Sequence, residues 1–471
     1  MSMFASLSRE QKQATILLQT GTFLEYFDLM LYVHMAVLLN DLFFPQADPH
    51  TARLLSAFAF CSTWVLRPLG ALLFGYIGDT IGRKTTVILT TSMMAISCIF
   101  MAVLPTYAQI GLLATWAVFF CRVAQGLSSM GEIIGAELYL TEITQPPVRY
   151  PIVSLVSASS AFGAVAALGV ATLATNYDFN WRSAFWIGAV IALVGAWART
   201  RLSETPDFIE MKKRRDACWI GALLNVMKPL TKMRLGETTD FIGMKRQIER
   251  GIVEVADQGF RRTAGFVKVK TAVAYFMISC ASPISFYFAY VYCSDILKDN
   301  FAFTSAQIIH QSLIVTLIGA IACVVLALLS AKVHPLTIQK YKMYCFAPIV
   351  LLCPFVLNDI SSPFVVLLIQ AVSSLLKYNP SAGVLLIHFP VFKRFTYTSF
   401  IYAFSRALMY IITSFGMVYL TEYLGHKGLL LIMVPMIIGF FWGAHHFTKL
   451  EKLGKPVGRL IKPRRGQLSP A

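Results

Sequence analysis

Long apolar segments recur along the whole chain, and this repetition constrains the fold more than any other feature of the sequence. A helix that crosses the hydrocarbon core of a bilayer needs about 20 mostly apolar residues. Twelve segments of this kind are predicted, which makes both ends of the chain lie on the same side of the membrane. They lie near residues 14–39, 53–78, 85–105, 109–138, 152–174, 183–200, 271–296, 308–330, 342–359, 363–388, 397–420 and 427–447.

The composition supports an all-α membrane protein. Only 14% of the 471 residues are charged and 56% are hydrophobic, whereas a soluble globular protein has about 25% charged residues. Residues 1–13 have no short apolar core followed by a cleavage site, so we do not expect a cleaved signal peptide. The nine cysteines are scattered without a CxxC pair, which predicts small core residues and no metal or other cofactor.

One long polar segment, residues 201–270, divides the twelve predicted spans into six and six. It contains the basic run KKRR at 212–215. We therefore predict a division into two helical bundles, a basic linker and a basic tail. The four parts are an N-terminal six-helix bundle at 1–200, a cytoplasmic linker at 201–270, a C-terminal six-helix bundle at 271–450 and a cytoplasmic tail at 451–471.

The basic residues in the short loops predict the orientation, because Lys and Arg are retained on the cytoplasmic side. Loops after even-numbered spans carry them, and both termini are therefore predicted to be cytoplasmic. Examples are Arg149, Lys332, Lys340, Lys393 and Arg394. The net charge of +17 is then a topology signal with attraction to anionic lipid. Nucleic-acid binding explains this charge poorly.

The loop between spans two and three reads GYIGDTIGRK, residues 75–84. The glycines of this loop permit a tight turn between closely packed helices. Its charges lie at the rim of the membrane, where they can pair with another rigid body and form a latch that depends on the conformational state. The alternative is a turn with topology charges only. The residues concerned are Gly75, Asp79, Gly82, Arg83 and Lys84.

With twelve spans in two halves, this Gly-x-x-x-Asp-x-x-Gly-Arg-Lys turn resembles the major facilitator superfamily of secondary transporters. Five further segments resemble its metabolite:proton symporter family, which includes bacterial proline/betaine transporters. The resemblance is close in the first half and weak in the second. The segments are EYFD (25–28), RVAQGLSSMGEIIGAELYLTE (122–142), NWRSAFWIG (180–188), ETPDF (204–208) and HFPVFKRF (388–395).

The resemblance implies a major facilitator fold in a bacterial inner membrane. It also implies that Asp79 lies near the start of helix eleven, where Thr396 and Thr398 are found, and that Arg83 lies among acidic residues. Glu142 and Glu204 are the acidic candidates. The corresponding turn after span eight reads SAKVHPLTIQK and lacks both the acid and the paired glycines, so a second latch is not expected.

Carboxylates inside spans are the candidate proton-coupling groups, because a charge at the centre of a membrane helix costs about 2.5 to 3.5 kcal/mol. Glu25 and Asp28 are three residues apart and share one face of span one. Asp28 is the first candidate and Glu25 the second, while Glu132 in span four is the third. The alternative for Asp28 is a carboxylate neutralised by an arginine of another helix.

Arg122 is the sequence candidate for binding a substrate carboxylate, because a guanidinium group donates hydrogen bonds to two oxygens at once and stays charged. An ion pair of Arg122 with Asp28 or Glu25 is the alternative. Arg67, beside Pro68, is either a cavity charge or a packing residue of span two. Lys377 and Arg406 are the cations of the second half that can balance the acids, and either can supply a second contact to a substrate.

Aromatic residues crowd span seven, and their faces can hold a quaternary ammonium group. Tyr287 and Tyr290 are the candidates, although packing is the alternative role. Together these residues predict proton-coupled uptake of a small zwitterionic or carboxylate-bearing solute of the proline or betaine type. An organic acid such as a dicarboxylate is the alternative substrate, and a carrier-derived sensor that binds without transporting is the alternative class. No nucleotide loop or nucleophile constellation predicts an enzyme.

Overall fold

A computed structural model describes residues 7–34, 39, 42–43, 49–176, 180–213, 267–358, 362–376 and 378–453. In these ranges the chain is helical and contains no β-strand. Twelve long helices follow one another and correspond to the predicted spans. They are α1 (Arg9–His34), α2 (Pro49–Thr80), α3 (Arg83–Val103), α4 (Leu112–Ile143), α5 (Arg149–Asn176), α6 (Trp181–Arg199), α7 (Val269–Tyr287), α8 (Ser305–Leu329), α9 (Pro335–Asn358), α10 (Pro363–Leu376), α11 (Arg394–Leu424) and α12 (Leu429–Lys452).

Within the described ranges, seven helical segments are long and apolar enough to cross a membrane by length and composition. They fall in α3, α4, α5, α7, α8 and α9, and in a stretch that joins the end of α11 to α12. This agrees with the prediction of a membrane protein with many spans.

The helices pack as two groups of six. In the N-terminal half (α1–α6), α1 packs on α5 and α6, α2 on α4, and α3 on α4 and α6. In the C-terminal half (α7–α12), α7 packs on α11 and α12, α8 on α10, and α9 on α12. The halves meet through α5 against α8 and through α2 and α4 against α11.

Local sequence signals explain several helix ends. The start of α8 is a capping box, in which the Gln307 amide N–H donates to Thr304 Oγ1 at 3.3 Å and the Thr304 amide N–H donates to Gln307 Oε1 at 2.9 Å. The helical path of α7 continues through a π-turn at Phe288–Tyr292 and a short helix at Cys293–Phe301. It ends where Ala302 adopts a left-handed conformation with φ 54°.

The tenth predicted span, 363–388, was wrong as a single helix. Helix α10 ends at Leu376, and the chain becomes helical again only at Ala382–Leu385 and in the 3₁₀ turn Leu386–His388. Pro380 lies in the interruption, and a proline has no N–H to continue a helix. Lys342 of α9 donates to the carbonyl oxygens of Leu376 and Tyr378 and so satisfies the open end of α10.

Most of the predicted linker and tail, 214–266 and 454–471, lies outside the described residues. The first part of the linker, 201–213, follows α6 and contains a helical segment at 206–213 that returns toward the loop between α2 and α3. The division of the chain into two bundles, linker and tail remains a prediction.

Candidate functional site

Asp79 at the end of α2 joins the two halves. Its Oδ2 accepts hydrogen bonds from the Thr396 amide at 2.8 Å and from Thr396 Oγ1 at 2.7 Å, and its Oδ1 accepts one from the Phe395 amide at 3.2 Å. These amides are the unpaired donors of the first turn of α11, where the helix dipole also favours a negative charge. The carboxylate therefore caps α11 from the opposite half of the protein.

Arg83 extends this contact. Its Nη1 donates to Asp79 Oδ1 at 2.5 Å and to the Gly78 carbonyl, while its Nη2 donates to the Val391 carbonyl of the C-terminal half at 3.0 Å. The side chain is buried, with 1% of its surface exposed. Arg83 thus ties the α2–α3 turn to the segment that precedes α11.

Glu142 at the end of α4 lies between two arginines. Its Oε1 is 3.5 Å from Arg83 Nη2 and 3.2 Å from Arg394 Nη1, and its Oε2 accepts a hydrogen bond from Thr205 Oγ1 at 2.7 Å. Arg394 begins α11 and also lies 3.6 Å from Asp207. We name Asp79, Arg83, Glu142, Arg394 and Thr396 the inter-half clasp.

Glu204 supports the α2–α3 turn from within the N-terminal half. Its Oε1 accepts a hydrogen bond from the Arg83 amide at 3.0 Å and its Oε2 one from the Lys84 amide at 3.2 Å, so it caps the start of α3. Partial burial raises the pKa of the Glu204 carboxyl, and these amides oppose the rise. Gly82 has φ +150°, and any side chain there would run into Glu204.

These contacts place Gly82, Lys84 and Glu204 differently from the residues that cross between the halves. Glu204 and Glu142 are both acidic candidates for the surroundings of Arg83. In the structure, Glu204 binds backbone amides of its own half. Thr398 also stays within its helix, because its Oγ1 donates to the Arg394 carbonyl at 2.6 Å. The crossing contacts are those of the clasp.

Gly75 permits α2 and α11 to approach closely. A Cβ atom at this position would lie 2.7 Å from Thr396 Cα, which is backbone and cannot rotate away. We expect Gly75→Val to destabilise the clasped arrangement by about 1 to 3 kcal/mol, the usual cost of overpacking. Hydrogen exchange of the first turn of α11 measures this, with Gly169→Val as control because no atom lies within 4 Å of a Cβ there. Equal exchange in the two variants would contradict the close approach.

A polar cavity lies between the halves. Its free volume is about 50 Å³, enough for a few water molecules. Residues of both halves line it, and more of them are polar than is usual inside a membrane. The polar and aromatic lining residues are Thr22, Tyr26, Glu137, Ser157 and Ser160 from the N-terminal half and Tyr275, Ser279, Ser282, Gln339, Tyr378, Asn379, Tyr402, Arg406 and Phe440 from the C-terminal half.

Arg406 of α11 is the cation of this cavity among the described lining residues. Its guanidinium carbon lies 3.4 Å from the centre of the Tyr402 ring, and its Nη2 donates to Ser282 Oγ at 3.3 Å. The side chain is 94% buried, given its 6% exposure, yet its Nη1 has no hydrogen-bond partner within the described part of the chain. A buried guanidinium with an open donor is suited to binding a carboxylate.

Glu137 of α4 is the acid of the same cavity. Its side chain is 7% exposed, and Arg406 is the charged group that acts on it electrostatically. Throughout the described ranges, the carboxylate forms neither a hydrogen bond nor an ion pair within 4.0 Å. The two charges thus face one space from opposite halves.

The predicted N-terminal charges lie outside the lining of this cavity. Glu25 Oε1 is 3.5 Å from Arg67 Nη2, and the Arg67 guanidinium lies 4.0 Å from the centre of the Trp64 ring. Arg67 is therefore a packed and paired residue of α2. Its guanidinium group is thus occupied by Glu25 and Trp64, as expected for a packing residue of span two.

Asp28 and Arg122 form a second buried group in the N-terminal half. Asp28 Oδ1 accepts a hydrogen bond from Cys98 Sγ at 3.5 Å, and Arg122 acts on it electrostatically. Arg122 Nη1 donates to Gln125 Oε1 at 2.8 Å. These residues are 2% and 4% exposed, respectively, and do not line the cavity described above.

The remaining sequence candidates lie elsewhere or cannot be placed. Tyr290 Oη is 2.9 Å from Thr316 Oγ1 and its ring packs on Phe286, while Tyr287 lines a separate cavity near His426. Lys377 lies outside the described residues, and the side chain of Glu132 is likewise not described. Aromatic residues do line the central cavity, but they are Tyr26, Tyr275, Tyr378, Tyr402 and Phe440.

Two six-helix halves around a buried polar cavity form the architecture of a major facilitator transporter. The comparisons with known proteins agree. Residues 14–355, more than half of the chain, match the family described as "Sugar (and other) transporter". The proton:xylose symporter XylE bound to 6-bromo-6-deoxy-D-glucose superimposes with a TM-score of 0.71 at 15% sequence identity, over 95% of this chain and 96% of that one. At this identity the likeness shows the fold alone.

Curated relatives match the chain in part. The inner membrane metabolite transport protein YhjE of Escherichia coli is 36% identical over 203 residues, which are 41% of this chain and 46% of that protein. The proline/betaine transporter of Escherichia coli is 33% identical over 195 residues, which are 40% of this chain and 39% of that protein. The matched part thus spans less than half the length of these relatives.

The chain belongs to the sugar (and other) transporter family of the major facilitator superfamily. Its relatives are named as transport proteins, and one of them is an inner membrane protein of Escherichia coli.

Proposed function

We propose that this protein is a secondary active transporter that couples the entry of protons to the uptake of a small carboxylate-bearing solute, zwitterionic or anionic. The single observation that carries the proposal is Arg406, which lines a cavity between the two halves and whose buried Nη1 has no hydrogen-bond partner among the described residues. Many transporters bind their substrate near the midplane of the membrane, between two halves of this kind.

Names of related proteins support this substrate class. The proline/betaine transporter carries solutes that bear a carboxylate, and the XylE symporter is named as proton-coupled. For a dicarboxylate, two cationic contacts would be expected, whereas Arg406 is the one Lys or Arg among the described lining residues. The described lining thus offers one cationic contact, and Lys377, the sequence candidate for a second one, lies outside the described residues.

The inter-half clasp supports alternating access. It closes the face of the protein that carries the α2–α3 turn, and the basic loops predict that this face is cytoplasmic. A substrate can leave toward that face only after the Asp79–Thr396 and Glu142–Arg394 contacts separate. We propose that these contacts form and break in each transport cycle, and that both termini lie on this cytoplasmic side.

Asp28 remains the proposed proton-coupling residue, with Glu25 and Glu132 as the further candidates. We expect Asp28→Asn to abolish accumulation of substrate above equilibrium, because the variant cannot take up a proton, while exchange across the membrane continues in part. Uptake and counterflow in proteoliposomes separate these two activities. Retained accumulation, or loss of folding alone, would remove Asp28 from the coupling mechanism.

Uptake in proteoliposomes under an imposed inward proton gradient tests the proposed function. The solutes are labelled L-proline, glycine betaine, succinate and a panel of monocarboxylic acids. The proposal predicts gradient-dependent uptake of a solute that carries one carboxylate. Binding of such a solute without any uptake, by protein shown to be folded and inserted, would favour a sensor instead.

A further inference from the structure

The central cavity is lined by one acidic and one basic side chain, and the two belong to different halves. Glu137 projects from α4 and Arg406 from α11, and both line the same space of about 50 Å³. Among the described residues, Arg406 is the charged group that acts on the buried Glu137 carboxyl group, and Arg406 itself keeps a buried Nη1 without a hydrogen-bond partner there. The two side chains act on each other electrostatically without forming an ion pair within 4.0 Å.

Buried charges without close partners are costly, so this arrangement points to a ligand. A solute with a carboxylate and a cationic group satisfies both residues at once. A simple anion satisfies only Arg406 and brings a second negative charge close to Glu137, which is unfavourable in a cavity of low dielectric constant.

The other groups that face Glu137 fit a cationic partner. Tyr275 of α7 and Tyr402 of α11 line the same cavity as Glu137 and Arg406. Tyrosine faces attract an ammonium group, whether or not it carries N–H donors. The described surroundings of Glu137 therefore contain one cation, already placed to bind the carboxylate, and aromatic rings beside the acid.

We propose that Glu137 selects solutes by charge, holding a cationic group of the substrate while Arg406 holds its carboxylate. The inference rests on the proposed function and narrows its substrate class to zwitterions. Because the two contacts lie on opposite halves, a zwitterion bridges α4 and α11. Binding then draws the halves together around the solute, which a simple anion does not do.

Two pairs of solutes of equal shape test this selection. Glycine betaine and 3,3-dimethylbutanoate differ by a nitrogen in place of a carbon, and L-proline and cyclopentanecarboxylate differ by an ammonium group. We expect the wild-type protein in proteoliposomes to prefer the zwitterion of at least one pair. We expect Glu137→Gln to lower this preference about tenfold or more, because losing a hydrogen bond to a charged group weakens binding by about that factor.

Two variants control this measurement. Glu137→Asp keeps the negative charge and should keep a preference for the zwitterion. Glu422→Gln neutralises a carboxylate that lines the separate cavity near His426 and not the central one, so the ratio of zwitterion uptake to anion uptake should stay unchanged. If Glu137→Gln does not fold, inhibition of wild-type uptake by the two nitrogen-free analogues, compared with that by the zwitterions, decides the question alone.

The outcomes separate this inference from the proposed function. Transport of a zwitterion with the same charge preference in wild-type protein and in Glu137→Gln would overturn the role of Glu137 only. Equal inhibition of the wild-type protein by a zwitterion and its anionic analogue would do the same. If folded, inserted wild-type protein neither binds nor transports any of the four compounds, the proposed function is overturned as well.

Discussion

Replacing Arg406 by glutamine is expected to lower the rate of substrate uptake about 100-fold or more. Truncating one partner of a buried, hydrogen-bonded charge pair costs about 2 to 5 kcal/mol, and Arg406 is the cation that the described lining offers to a carboxylate. The glutamine keeps polar donors and much of the volume, so the change removes the charge rather than the packing. Initial uptake rates and substrate binding measure the effect.

Arg406→Lys is the informative comparison. It keeps the positive charge but loses the planar fork and its stacking on Tyr402. We expect weakened binding with residual transport, between the wild-type protein and Arg406→Gln. Arg67→Lys serves as a control for buried arginines in general, because Arg67 pairs with Glu25 outside the cavity. Uptake by Arg406→Gln at the wild-type rate would contradict the assignment of the binding site.

Glu142→Gln should have the largest effect on the conformational equilibrium. The Glu142 carboxylate is fully buried between Arg83 and Arg394. Without its charge, the two guanidinium groups face each other across the interface between the halves, which costs the clasped arrangement about 3 to 5 kcal/mol. A change of this size is enough to move a strongly clasped protein to a mostly open one.

Hydrogen exchange reports this shift. In Glu142→Gln we expect faster exchange at the start of α11, where the Phe395 and Thr396 amides donate to Asp79. Thr205→Val is the matched control, because it removes a single hydrogen bond to Glu142 and leaves both ion pairs, with an expected cost of about 1 kcal/mol. Unchanged exchange in a folded Glu142→Gln protein would remove the clasp from the mechanism.

Part of the clasp was predictable, because Asp79 and Arg83 belong to one short turn and the resemblance to major facilitator transporters implies their partners at the start of helix eleven and among acidic residues. The spacing of Gly75, Asp79, Gly82 and Arg83 fixes a turn at a helix end, and such a turn can contact only what packs beside it. Arg394 was missed as a partner, since a basic residue in a loop is also explained by topology alone. The segment HFPVFKRF contained the signal, because it precedes the helix that Asp79 caps.

The cavity was harder to predict. Whether a charge in a membrane helix faces a cavity or another helix depends on the rotation and tilt of that helix, which packing determines. Arg67 and Arg122 have the residue type of a substrate contact, but each has partners within the N-terminal half. Arg406 and Glu137 line the cavity instead, although Arg122 lies on the same helix α4 as Glu137 and Arg67 lies on α2, which packs on α11. No local pattern in the sequence marks this difference.

The interruption of the tenth span had a readable signal. Asn379 and Pro380 lie within the predicted segment 363–388, and proline disfavours a helical conformation in the residue before it. Apolar residues on both sides concealed the break, since a count of apolar residues does not register backbone hydrogen bonds. The consequence reaches the site, because Tyr378 and Asn379 line the central cavity where the helix is broken.

The most direct test of a proton-driven carrier with Arg406 at its binding site is accumulation of a zwitterion in proteoliposomes. The wild-type protein and Arg406→Gln are compared under an inward proton gradient, with and without a protonophore. The account predicts that the wild-type protein concentrates the solute above equilibrium, that the protonophore abolishes this, and that Arg406→Gln takes up almost none. Gradient-independent equilibration by the wild-type protein, or equal accumulation by both proteins, would contradict it.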